Sequence, residues 1–488
     1  MAGRLTDLSH EGRLAAASLI EATTGMFSPT LRLGVTGLSR AGKTVFITAL
    51  VQALTEGHRL PLLDASIEGR IAAVRLEPQP DLTIPRFDYE RHVAAMSGPD
   101  RHWPQSTSDI SQLRLVIDYQ SAGWFGRTFG TSQLTIDIVD YPGEWLLDLA
   151  LLDKNYGDWS RQSLDLSHMP TRLPLAAAWH GALAGIDPKA RYVDGSAREP
   201  AAIFTAYLRA CREEQVAQST LPPGRFLLPG AYQGSPALAF YPLPVGDDAP
   251  VPGSVHAHMA RCFEAYKDEI IRPFFRQHFA RLDRQIVLVD ALSALNAGPS
   301  AVADLERALG DILAAFRIGT NSWWSSLVAP RIERILFAAT KADHLHHRDH
   351  DRLEAILSRL IDRAGSRATS AGAKIDVIAL AAIRATREAR IRQHGDLMDA
   401  VIGVPLAGER VGDDVFDGSG EVALFPGDLP DDPERALSQG RDAPTPDEAD
   451  MRFLRFRPPL VRGSGASPAT AHIRLDRALQ FLIGDYLA

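Results

Sequence analysis

Cysteine is almost missing from this chain: Cys211 and Cys262 are the only two in 488 residues. A disulfide framework is therefore excluded, since two thiols form at most one bridge. No leader of charged, apolar and small residues opens the sequence, so both are expected to be reduced thiols in a cytoplasmic protein. No run approaches the roughly 18 apolar residues of a membrane span. Zinc spacing is absent too, because His344, His346, His347 and His350 cluster without a second pair of ligands and are expected to form a solvated loop or helix start. Concentrated basic charge is also lacking. With a net charge of -8 and a pI near 6.0, the chain carries no electrostatic footprint for nucleic acid. What remains is 45% hydrophobic and 23% charged, the composition of a globular protein. Its length exceeds one ordinary core, so at least two folding units are expected.

One octet carries the chemistry. Gly37-Leu38-Ser39-Arg40-Ala41-Gly42-Lys43-Thr44 reads GxxxxGKT, after an apolar stretch at 31–36 and before a helix-like run at 45–54. Strand, loop and helix in that order make a phosphate-binding loop. The glycines let the backbone curl, so that N–H groups from Gly37 through Ser39, Arg40, Ala41 and Gly42 to Val45 converge on phosphate oxygens. Lys43 bridges the β- and γ-phosphates and Thr44 offers its hydroxyl to Mg²⁺. A nucleoside triphosphate is the expected ligand.

Two later segments select the base and sense the phosphate. The apolar run 134–140 ends in Asp140 and continues through Tyr141 and Pro142 to Gly143, a DxxG: the acid is placed for the Mg²⁺ shell and Gly143 for an N–H to the γ-phosphate. A second short run, 335–339, leads into Thr340-Lys341-Ala342-Asp343. The Asp343 carboxylate can accept from the N1–H and amine of guanine, an edge adenine lacks, while the Lys341 stem packs along the base with His344 beside it. After the run 375–380, Ala382 and Ile383 are placed for a backbone N–H to the guanine carbonyl. A switch threonine belongs between the loop and Asp140. Of two segments, 103–107 and 128–131, the second falls at the tip of an expected hairpin between 113–119 and 134–140. The first is favoured: Thr107 and Ser106 would close over the phosphates and Mg²⁺, and Trp103 over base or ribose, although a capping threonine and a packing tryptophan fit the same residues. Glu144, where many GTPases carry a catalytic glutamine, is either a water-orienting carboxylate or a helix N-terminal acid. Arg40 is either a charge-stabilising group or the partner of a surface acid.

The blocks GLSRAGKT, WPQST with DISQLRL, DYPGEWLLDL, GRFLLPG, VLVDALSALNAGP, TKAD and HIRLDRALQFLIGDYLA together resemble the YcjX-like bacterial P-loop GTPases, over about residues 5–488. The resemblance implies a stress-associated guanine-nucleotide-binding protein with an inner-membrane protein as a neighbour. It also implies an α/β P-loop NTPase fold of GTPase type, with a mixed, mostly parallel sheet, helices on both faces and a mainly helical inserted domain.

The distance between the DxxG and the TKAD supports this organisation. Residues 1–145 are read as the first part of the GTP-binding domain and 146–281 as the insertion, rooted directly behind Gly143. Residues 282–400 are read as the second part, and 401–488 as an acidic, loop-rich region at 412–450 followed by a docking helix. An amphipathic segment at 5–20 is expected to pack on the body. GTP binding with slow hydrolysis is the expected activity; a P-loop ATPase, or a nucleotide-stabilised scaffold without turnover, is the alternative.

Overall fold

The apolar runs of the sequence line up in one sheet. A computed structural model describes residues 29–38, 40–57, 60–105, 109–122, 131–213, 218–246, 249–316, 332–365, 373–393, 396–411, 413–438, 453–460 and 471–488. The segment 5–20, Ser39, Ser106, Thr107 and most of the alternative switch segment 128–131 lie outside them. The strands are β1 (Thr30–Gly37), β2 (Ile71–Glu77), β3 (Ser111–Tyr119), β4 (Ser132–Asp140), β5 (Arg284–Val289), β6 (Arg334–Ala339) and β7 (Lys374–Ala379). They lie side by side in the order β2-β3-β4-β1-β5-β6-β7. From β4 through β1 to β7 the strands run parallel. Strand β3 is antiparallel to β4 in unbroken register from Ser111 opposite Asp140 to Tyr119 opposite Ser132, the expected hairpin. Strand β2 extends that antiparallel edge. Chain order reverses at β1, so a crevice opens at the carboxyl ends of the parallel strands, where ligands of open α/β sheets bind.

The helices that position the site are α1 (Lys43–Thr55), α2 (Gly143–Leu147), α3 (Tyr156–Ser167), α4 (Leu173–Ala184), α5 (Arg198–Arg212), α6 (Val255–Tyr266), α7 (Pro299–Ala315), α8 (His350–Gly365) and α9 (Leu475–Ile483). Strand side chains alternate between two faces. Leu31, Leu33 and Val35 meet Phe46 and Leu50 of α1 and Leu479 and Leu482 of α9 on one face. Val139, Val287, Val289 and Phe337 meet α7, α8 and the inserted helices on the other. The sheet is thus the middle of three layers.

Helices α3 to α6 pack around aromatic rings: Trp159 stacks on Phe263 at 5.2 Å, meets Phe240 edge-on at 5.2 Å, and Trp179 lies 4.8 Å from Phe204. Such contacts add roughly 0.5–1.5 kcal/mol each beyond burial. This cluster is continuous with the sheet face, not a separate core. A buried ion pair also joins the two: Arg172 donates to Asp304 of α7 at 2.6 Å, and the Thr220 N–H donates to the same carboxylate at 2.9 Å.

The C-terminal quarter differs from the sequence reading. Strands β8 (Arg387–Gln393) and β9 (Asp396–Gly403) form a hairpin that spans residue 400, the boundary expected from the sequence. The acidic stretch, expected to be an extended loop, contains structure in its described part. A short β10 (Arg410–Val411) and β11 (Asp414–Val415) pair, β12 (Val422–Leu424) joins β9, and a helix spans Pro433–Ser438. Among the described residues no helix is long and apolar enough to cross a membrane.

Candidate nucleotide site

Strand β1 delivers the phosphate loop to the crevice. A side chain at Gly37 would place its Cβ 2.9 Å from that of Leu288, so only glycine lets the loop leave β1 beside β5. The Leu38 N–H then donates to Leu288 O at 3.2 Å and the Ala41 N–H to Leu38 O at 3.1 Å. The chain passes through two left-handed residues, Arg40 (φ 62°) and Gly42 (φ 82°). Gly42 has open space where a Cβ would stand, so glycine is favoured there by conformation. It caps α1, whose first residues are Lys43 and Thr44. Left-handed turns of this kind aim successive N–H groups to one side, and the free amides of a helix N-terminus add partial positive charge.

A cavity of about 360 Å³ lies against this loop. Arg40, Ala41, Gly42, Lys43, Thr44 and Val45 line it at one end, and Lys341, Asp343, His344, Ala382 and Ile383 at the other, with Trp103 also in the wall. The structure therefore brings the sequence-marked loop and the TKAD to one pocket. Gly37, Asp140, Gly143 and Glu144 stand behind the lining. Asp140 ends β4 opposite Val35 of β1 and is almost fully buried. Gly143 packs directly on the phosphate loop: a Cβ there would lie 2.4 Å from the Gly37 carbonyl oxygen. Between them Tyr141 is fixed by its N–H to Val35 O at 3.3 Å and by its hydroxyl donating to Gln285 at 2.7 Å.

At the far end Asp343 is buried, and its Oδ2 accepts the Ala385 N–H at 2.8 Å; the Thr386 hydroxyl donates to its carbonyl oxygen. The first bond orients the carboxylate and the second holds the backbone that carries it. Lys341 is left-handed (φ 62°) and its ammonium binds Asp290. Burial pushes the Asp290 carboxyl up, but Lys341 and Ser293 outweigh it and hold the group below the usual aspartate value, hence ionised. Ala381 is pinned by reciprocal backbone bonds with Ile473, at 3.1 and 2.8 Å. The segment leading into α9 thus holds the loop that carries Ala382 and Ile383.

A family model described as "YcjX-like family, DUF463" matches residues 31–487. The chain belongs to the YcjX-like family. It is 39% identical over 468 residues to the "Ras-like GTPase YcjX" of Escherichia coli K12, covering 94% of this chain and 96% of that protein. It is 36% identical over 483 residues to the "Ras-like GTPase YcjX" of Shewanella oneidensis MR-1, covering 94% of each.

Several lining residues of this family member are not marked by any sequence motif. Asp290 falls within the block VLVDALSALNAGP but is given no role there, yet it anchors Lys341 and caps the next helix by accepting the Ser293 N–H at 3.1 Å. Phe456 and Arg455 enter from the C-terminal segment: the Trp103 indole donates to Phe456 O at 2.6 Å, and the His344 ring meets Phe456 edge-on at 5.3 Å. Burial lowers the His344 pKa, so it stands there as a neutral ring. Arg212 of α5 lines the pocket as well, and its guanidinium lies 2.9 Å from Glu144. Arg40 pairs at 3.9 Å with Glu213, an acid at the surface, which is the second of its two expected roles.

Of the two expectations for the histidine cluster, a helix start holds at His350, which opens α8, while a solvated loop does not describe His344 and His346. His344, His346 and His350 are buried; Glu388 and Asp399 of the unanticipated β8–β9 hairpin lie 3.7 and 3.9 Å from His346, and the Phe456 ring meets His344. His346, His347 and Glu388 converge, but Arg384 lies 3.0 Å from Glu388 and Arg348 lies 2.7 Å from the adjacent Asp399. Arginines thus already occupy both carboxylates.

Proposed function

We propose that this protein binds GTP and GDP with Mg²⁺ in the described cavity and hydrolyses GTP slowly, as a two-state switch. The observation that carries the reading is one pocket lined at one end by the phosphate loop and at the other by a buried, backbone-held Asp343. An adenine nucleotide satisfies the first end only. The names of the relatives, Ras-like GTPases, point the same way.

In this reading the loop amides and Lys43 hold the β- and γ-phosphates. The Thr44 hydroxyl and the Asp140 carboxylate are the hard oxygen donors that suit magnesium, which when bound supplies positive charge against the phosphate oxygens. Water bonds to the γ-phosphorus as the bond to the bridging oxygen breaks; that oxygen leaves on GDP with the electron pair, and the water protons end on inorganic phosphate and solvent. Gly143 packs against the Gly37 carbonyl, and this contact supports reading it as the residue through which a γ-phosphate on the loop is felt in α2. Thr107 and Ser106 remain our candidates for closing over the phosphates. A cytoplasmic switch in a bacterial stress response, with an inner-membrane protein as partner, is the cellular role the family resemblance supports.

Asp343→Asn tests the base assignment. An asparagine amide offers a donor where guanine needs an acceptor, and xanthine carries a carbonyl in place of the guanine amine. GDP affinity should fall by about a hundredfold or more while xanthosine diphosphate gains. Unchanged GDP affinity measured by calorimetry would remove Asp343 from the site.

A further inference from the structure

The end of helix α5 touches both loops that flank the phosphate region. Its last residue, Arg212, meets Glu144 at 2.9 Å, immediately after the DxxG glycine, and the following residue, Glu213, meets Arg40 of the phosphate loop at 3.9 Å. The two pairs are unequal. Glu144 is nearly buried and Arg212 is 24% exposed, whereas Arg40 and Glu213 are largely in solvent, where an ion pair holds little. The Arg212–Glu144 pair is thus the more sheltered of the two, and Arg212 lines the same cavity as Lys43 and Thr44.

Three arginines line that cavity among the described residues. Arg455 stands with Phe456 and Leu406, and Glu409 engages it at 2.7 Å. Arg40 is 44% exposed, and the acid it meets, Glu213, lies at the surface 3.9 Å away. Of the three, only Arg212 combines a wall position with a buried carboxylate as its ion-pair partner. A guanidinium presents five donors in a planar fork, so it can keep a carboxylate on one edge and bind phosphoryl oxygens with the other.

We infer that Arg212 is a catalytic arginine that the inserted segment supplies to the nucleotide site of its own chain, and that Glu144 is the positioning residue that aims it. The inference rests on the GTPase reading above. Charge builds on the γ-phosphoryl and bridging oxygens as the bond to the bridging oxygen breaks, and Arg212 donates hydrogen bonds to it without giving up a proton. Glu144 neither attacks nor deprotonates water. The arrangement also gives the insertion a role in catalysis. Whatever displaces α5 displaces the arginine, so a displacement of the insertion would change the rate of turnover.

The test uses the full chain and three readouts: single-turnover GTP hydrolysis, GDP affinity by calorimetry, and retention of GDP with aluminium fluoride and Mg²⁺ as a transition-state mimic. Arg212→Ala should lower the hydrolysis rate about a hundredfold or more and abolish retention of the fluoride complex, while GDP affinity stays within about threefold. Arg212→Lys should recover part of the rate. Because Arg212→Ala strands the Glu144 charge, Glu144→Gln/Arg212→Ala serves if the single variant does not fold, with the same expected losses. Hydrolysis within a few-fold of wild type, or retained fluoride complex, in a variant that binds GDP normally would overturn the inference. Wild-type protein that binds no GDP and releases no phosphate from GTP would overturn the guanine-nucleotide reading itself, and the inference with it.

Discussion

Asp148, one residue beyond α2, shows how much a single carboxyl can carry in this fold. It is fully buried, accepts the Gly224 N–H at 2.6 Å and the Tyr266 hydroxyl at 2.6 Å, and so ties the start of the insertion to α6. Burial dominates and pushes its pKa up to about 6; the two donors pull the other way without winning. Since the folded value lies above the ordinary 3.8, its stabilising contribution is full below that value and is lost as pH rises through about 6. Asp148→Asn mimics the protonated form. The unfolding free energy of the variant, less that of wild type, should therefore climb between about pH 4 and 6 and level off above; a flat difference in denaturant titrations would refute the assignment. Residues of this kind are illegible in sequence. Gly37, Lys43, Gly143 and Asp343 can be read because their chemistry is local, a few residues at fixed spacing. Arg212, Asp290 and Phe456 cannot, because packing alone brings each of them to the pocket.

At the scale of elements, legibility follows burial. Strands β1, β4, β5 and β6 are mostly buried and read as apolar runs, and the β3–β4 hairpin is legible as two such runs. Strand β2 escapes notice because it is an edge, with exposed and half-buried positions mixed along I-A-A-V-R-L-E. Strands β8 and β9 escape it because arginines and acids that pair across the hairpin, such as Arg390 and Asp399 at 3.2 Å, mask their alternation. The union of insertion and sheet rests on a feature of the same hidden sort, the Arg172–Asp304 pair. Removing Arg172 takes the nearer cation from the buried Asp304 carboxylate, which keeps Arg307 at 3.3 Å and the Thr220 N–H at 2.9 Å, so Arg172→Ala should cost about 3 kcal/mol in urea unfolding. Arg172→Met with Asp304→Asn, whose amide oxygen still accepts the Thr220 N–H, should cost less. Equal losses in the two would show that packing, not charge pairing, joins the units there.

The whole molecule is built on one sheet whose crevice is walled by three distant parts of the chain. The phosphate loop and TKAD come from the sheet, Arg212 from the insertion, and Arg455 and Phe456 from the C-terminal segment. A nucleotide in that crevice would touch all of them, which is the physical basis for reading the protein as a switch. The measurement that tests this most directly is calorimetric titration of nucleotide-stripped protein with GDP and, separately, ADP, each with Mg²⁺. Both ligands need the phosphate loop, and only GDP needs Asp343. The account predicts GDP binding tighter by about a hundredfold or more. Equal or tighter binding of ADP would contradict it and leave a P-loop ATPase in its place.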